Sequence, residues 1–264
     1  MRNQSIVEQI VRRDQWIAGV CLFVVAGFSW LWLLAQFVAM RSMADMGMTM
    51  PVLGLSRQFV DAAVMWGLMM TAMMLPSAAP MVLTYARFER MEMSRDRTLT
   101  PTATFAAVYV AIWIVFSLVA AGLQVLLVRN GALQAGGLAI GSARISGALL
   151  ILLGLYQLTP FKRTCLTACR SPLPLFLRQW RPGLLGTLRL GAIHGLYCVG
   201  CCWLMMALLF VFGVMNMPWV GLLATIVLVE KVVPFGERIG AGLGFLAVAV
   251  GVYALGADGI PGLS

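Results

Sequence analysis

Charge is what this sequence has least of. Only 11% of its 264 residues are Asp, Glu, Lys or Arg, less than half the ~25% usual for a soluble domain. There is one histidine, and acidic residues number ten. The chain offers no nucleophile–base–acid set, no glycine-rich phosphate loop and no paired carboxylates, so hydrolase and ATP-driven readings lack support. Alternating apolar and polar strands are missing too. The apolar runs are continuous, which excludes a β-barrel. No cleavable leader is expected, because the first apolar run, 16–40, is longer than a signal core and has no small-residue cleavage site.

What is present is apolar surface. Hydrophobic residues make up 61% of the chain and the mean hydropathy is +0.91. Several runs exceed the ~18 residues needed to cross a bilayer. The expected fold is all-α: a polytopic transmembrane bundle of about seven helices, forming one integral membrane domain over 1–264. An interfacial segment is expected at 1–15, and helices at about 16–40, 59–85, 102–128, 143–159, 188–214, 218–233 and 237–255. The formal charge of +9 does not point to nucleic acid. The N-terminus and the loops at 86–100, 161–189 and 231–238 hold fifteen of the nineteen basic residues. By the positive-inside rule that side is cytoplasmic, which puts the N-terminus inside in a multi-pass protein of the bacterial inner (cytoplasmic) membrane.

The most distinctive stretch is His194–Met206, HGLYCVGCCWLMM. It holds the chain's one histidine and three of its six cysteines. On a helix, successive residues turn by about 100°, so His194, Cys198, Cys201 and Cys202 fall within roughly a 100° arc, and Met205 lies inside it. Cys165 and Cys169 precede them at i,i+4 spacing. Thiolate and imidazole favour Cu(I), with Zn(II) or an iron–sulfur centre behind it, over hard cations. Thiols on the cytoplasmic side stay reduced, which favours metal binding over disulfides. A lone histidine is more often a partner between helices, and buried cysteines often serve as small apolar packers. Five of six cysteines in one region weigh against that plainer reading. The helix alone cannot gather all four donors on one ion, since His194 and Cys201 are about 10 Å apart along the axis. Either Gly195 and Gly200 break the helix, or two sites exist, or other segments contribute.

Three further features bear on a soft-metal site. The second helix carries Met73 and Met74 among several methionines, and the outer loop Met40–Met50 adds more; thioether binds Cu(I) without deprotonation. Pro76 and Pro80 interrupt the same helix, where freed carbonyls are tolerated at membrane depth if they line a site. Glu230 and Lys231 form an ionisable pair within an apolar segment, a functional candidate by default. The candidate ligand set is therefore His194, Cys198, Cys201, Cys202, Cys165, Cys169, Met205, Met73, Met74 and Glu230.

These motifs carry a resemblance. The AMMLPSAAPM run within Trp66–Met81, Tyr156–Gln157 with Lys162, Cys165, Cys169 and Pro172, the CxGCCW string ending at Trp203, and Glu230–Lys231 together resemble the bacterial family of predicted metal-binding integral membrane proteins. The resemblance spans the second to sixth expected helices and implies a metal-binding role without fixing the metal. The expected function is copper handling, by transport or delivery, through the Cys/His/Met cluster. The alternative is a membrane oxidoreductase, or a subunit of a membrane metalloenzyme complex, with the cluster as a metal or thiol redox centre. Expected partners are the lipid bilayer, a metal ion and a soluble metal-carrying or redox protein.

Overall fold

The computed structural model describes residues 2–46, 54–92, 99–133, 139–171, 174 and 178–256. Among these the only β feature is one antiparallel bridge between Leu133 and Ile140. The helices are α1 (Arg2–Asp45), α2 (Leu55–Glu92), α3 (Leu99–Arg129), α4 (Ala143–Gln157), α5 (Pro160–Arg170), α6 (Leu184–Ala207), the short α7 (Leu209–Phe212), α8 (Met217–Val232) and α9 (Gly236–Gly256). The fold is all-α, as expected.

Among the described residues five stretches are long and apolar enough to cross a membrane: Gln15–Met43, Leu55–Glu89, Thr100–Arg129, Leu184–Phe212 and Gly236–Gly256. The pair α4 and α5, bent by 64°, makes a sixth if counted as one broken span. α8 has 16 residues and rises about 24 Å at 1.5 Å per residue, short of the ~30 Å hydrocarbon core. Large apolar side chains such as Phe23, Val119 and Phe245 stand exposed on α1, α3 and α9. Outward apolar faces on apolar helices are the build of a membrane protein.

Three boundaries differ from the sequence expectation. α1 is one helix through the junction expected at 15–16 and on to Asp45. Half of the expected methionine loop is therefore helical. Met46 is exposed, while Met48 and Met50 lie outside the described residues. Helix α5 occupies the start of what reads as a loop, 161–187. Its cause is local: Pro160 needs no donor at the first helical position, and the Thr159 side chain accepts the Lys162 N–H at 3.3 Å. Finally, Gly195 and Gly200 do not break α6, which runs unbroken from Leu184 to Ala207.

Small residues set the helix spacing. α4 packs on α9 through Gly147 and Gly154 against Gly251 and Gly244. A Cβ on Gly154 would stand 2.4 Å from the Gly244 carbonyl oxygen, and one on Gly147 would stand 2.9 Å from that of Gly251. Close backbone approach of this kind holds helices together where lipid removes the hydrophobic drive. α6 meets α3 in the same manner: a Cβ on Gly191 would be 3.0 Å from the Phe105 carbonyl, and one on Gly195 would be 3.0 Å from Ile112. α1 is tied to α2 by a polar contact. Pro76 deprives the Ala72 carbonyl of its intrahelical donor, and Trp30 Nε1 donates to that oxygen at 3.1 Å. Trp66, Met69, Met70, Met74, Tyr109 and Trp113 fill the centre, almost fully buried.

Candidate functional site

The site is centred on Cys198. The close α3–α6 contact at Gly191 and Gly195 brings Tyr109 against it, and the Tyr109 hydroxyl lies 3.1 Å from Cys198 Sγ. The same hydroxyl donates to the Met74 carbonyl at 3.1 Å. From α8, Lys231 Nζ donates to Cys198 Sγ at 2.9 Å and to Ser77 Oγ at 3.0 Å. Side chains of α3 and α8 thus reach one sulfur of α6, and α2 holds both of them from behind through the Met74 carbonyl and Ser77. Every member of this polar knot is buried.

The other sulfurs gather around it. The thiols of Cys169, Cys201 and Cys202 lie close enough to Cys198 to interact with it. Cys201 and Cys202 both donate to the Cys198 carbonyl, at 3.1 and 3.0 Å. Cys202 Sγ is 3.9 Å from Met74 Sδ. Cys165 sits on the Gly200 face, where a Cβ would come within 3.0 Å of its sulfur, and the Tyr156 hydroxyl donates to the Gly200 carbonyl beside it. All six cysteines are free; Cys198, Cys201, Cys202 and Cys165 are buried, Cys169 is partly exposed, and Cys21 is exposed on α1, away from this group.

His194 lies one turn before Cys198, almost fully buried. Its ring stacks on Tyr109 and Phe105, with centroids 5.3 and 5.9 Å away. Among the described residues its Nδ1 has no hydrogen-bond partner, and a buried polar atom in that state calls for an explanation. Met73 and Met205 belong to the surrounding apolar core.

Glu230 turns away from the sulfurs. Its Oε2 pairs with Lys162 Nζ at 2.7 Å, and Gln157 Nε2 donates to its Oε1 at 3.3 Å. Lys162 also donates to Gln157 Oε1. Gly240 leaves room for this group: a Cβ there would stand 2.6 Å from Glu230 Oε1. Glu230, expected from the sequence as a ligand, is engaged by Lys162, and neither Tyr109 nor Lys231 was expected as a partner of Cys198. Only Lys231 left a signal, as a cation within an apolar helix.

An open cleft of about 470 Å³ is lined by Arg163, Thr167, Ala168, Arg178, Tyr197 and Glu237 among others. Ala168 and Tyr197 are the chain neighbours of Cys169 and Cys198. Arg163 and Glu237 pair at 3.2 Å on its rim, and Arg170 donates to the Val233 and Pro234 carbonyls at 2.5 and 2.8 Å. Among the described residues, no three His, Cys, Asp or Glu side chains are arranged to hold a metal ion as they stand. What the arrangement offers is soft sulfur donors around one thiol, with a cation and a phenol in contact with it.

No curated protein and no solved structure matches the chain. Residues 63–254, from α2 to near the end of α9, match the PpoB2 family model, described as copper chaperone. That span is most of the chain and contains the whole sulfur group, and the protein accordingly belongs to this family.

Proposed function

We propose that the protein is a membrane copper chaperone that takes up Cu(I) as cargo on the sulfurs around Cys198 and delivers it to a partner. The observation that carries this reading is the gathering of Cys169, Cys201 and Cys202 about Cys198, with Met74 against Cys202. Thiolate and thioether select Cu(I). The unpartnered Nδ1 of His194, one turn along the same helix, gives copper a nitrogen donor to recruit. Two thiolates drawn from Cys169, Cys198, Cys201 and Cys202 hold the ion, with Met74 and His194 as further donors. Cys165, Met73 and Met205 shape the surround, and Glu230 is committed to Lys162.

Delivery is favoured over passage through the bundle for two reasons. The family is described as copper chaperone. Cys169 is also the least buried donor, and its chain neighbour Ala168 lines an open cleft, so a soluble metal-carrying protein would exchange copper by way of Cys169. In the proposed setting, seven helices cross the bacterial inner membrane, with α8 as the short sixth crossing, the N-terminus in the cytoplasm and the cluster at the inner leaflet. Two cations behind that orientation, Lys162 and Lys231, are buried and engaged in polar contacts; the remaining basic residues keep the same bias.

The test is anaerobic Cu(I) titration of the full chain in mild detergent against a chromogenic chelator. Stoichiometric, chelator-resistant Cu(I) on the wild type, lost in Cys198→Ser with Cys201→Ser, is the expected result. Equal Cu(I) retention by that double variant would refute the reading.

A further inference from the structure

Lys231 is an uncommon neighbour for a metal-binding thiol. An ammonium cannot ligate while protonated, and inside an apolar bundle it needs an anion. The adjacent carboxylate, Glu230, is taken by Lys162 at 2.7 Å. Among the described residues, Lys231 meets no carboxylate. Its contacts are Cys198 Sγ at 2.9 Å and Ser77 Oγ at 3.0 Å. The chain thus sets one fixed positive charge against the central sulfur, in a place where charges must sum close to zero.

We infer that Lys231 is a specificity-determining residue, the counter-cation of an anionic Cu(I)–thiolate complex, and that it selects monovalent over divalent metal. The inference rests on the proposed copper site and adds its selectivity. The charge balance is direct. Cu(I) between two thiolates has a net charge of minus one, and the ammonium beside it makes the group neutral. A divalent ion on the same two thiolates is already neutral, and the ammonium then stands uncompensated in low dielectric. Restoring balance for Zn(II) takes a third thiolate within the four-coordinate shell that ion usually adopts. Among the described residues no three His, Cys, Asp or Glu side chains stand ready for a metal ion, so Zn(II) would have to draw a third cysteine of the group into place. Two sulfurs suffice for Cu(I). Ser77 Oγ, 3.0 Å from Lys231 Nζ, helps to hold the ammonium beside the complex.

The test measures metal preference rather than delivery. The full chain in detergent is titrated anaerobically with Cu(I), with Ag(I) as a redox-inert monovalent probe, and with Zn(II). Wild type is expected to hold Cu(I) and Ag(I) and to release Zn(II) to a weak chelator. Lys231→Met and Lys231→Gln, the latter keeping a donor toward Ser77, are expected to lower the Cu(I)-over-Zn(II) preference by about tenfold or more, the scale of one nearby unit charge. Lys231→Arg is expected to keep it. An unchanged preference in the neutral variants overturns the inference while leaving the copper site intact. Stoichiometric Zn(II) on the wild type, held as firmly as Cu(I), overturns it without any variant. Absence of Cu(I) binding by the wild type would instead remove the copper site itself.

Discussion

Glu230 and Lys231 are consecutive residues on α8 that serve two different polar centres. Glu230 closes an ion pair with Lys162 on α5, while Lys231 reaches Cys198 on α6 and Ser77 on α2. One peptide unit therefore links the helix that carries Cys165 and Cys169 to the helix that carries the other three clustered cysteines.

The Lys162–Glu230 pair is buried on both sides. Removing one member leaves a bare charge, which costs about 3–5 kcal/mol, whereas replacing both with apolar residues of similar volume is often neutral. Glu230→Gln is expected to lower the unfolding temperature sharply in detergent, and Lys162→Met with Glu230→Leu to recover most of it. A strict sum of the two single losses in the double variant would rule out the pairing.

Gly154 has the Gly244 carbonyl where a Cβ would go, whereas nothing lies within 4 Å of a Cβ at Gly221. Gly154→Ala is expected to destabilise by about 1–3 kcal/mol through overpacking. Gly221→Ala should leave stability unchanged or slightly raised, since alanine favours the helix. Thermal melts of the two variants side by side decide the point.

His194 stacks on Tyr109 and Phe105 and leaves Nδ1 without a partner. His194→Phe keeps an aromatic ring there and is expected to hold stability within about 1.5 kcal/mol. Cu(I) affinity should fall at the same time. A drop in stability with unchanged Cu(I) affinity would show that the ring serves only packing.

Cys169 is partly exposed, while Cys198, Cys201 and Cys202 are buried. Alkylation of the metal-free protein, followed by peptide mass spectrometry, is expected to modify Cys169 well before those three. Cu(I) should protect all four. If Cu(I) left Cys169 as reactive as before, that residue would not be a donor.

The helical bundle was legible because apolar runs of this length admit few other folds. That Cys198, Cys201 and Cys202 share one face was legible because the periodicity of α6 alone puts them there. Their partners were not. Tyr109, Ser77 and Lys231 come from three other helices, and their meeting depends on how those helices rotate and how closely they approach. For α3 that approach is set by Gly191 and Gly195, which look ordinary in an apolar run. Helix α5 was hidden by its arginines, which resemble a solvated loop, although Thr159–Pro160 is a recognisable helix start. Glu230 stood out in the sequence as a charge in an apolar segment, but its counter-charge, Lys162, lies 68 positions earlier in the chain.

The indole of Trp30 has a consequence for trimming the chain. The span shared with the family begins at residue 63, so α1 looks dispensable, a mere tether. Yet a fragment cut there would leave the backbone oxygen of Ala72 facing hydrocarbon with its donor gone. The first helix is a structural staple for the proline-broken second, and a shortened protein should be made with it retained.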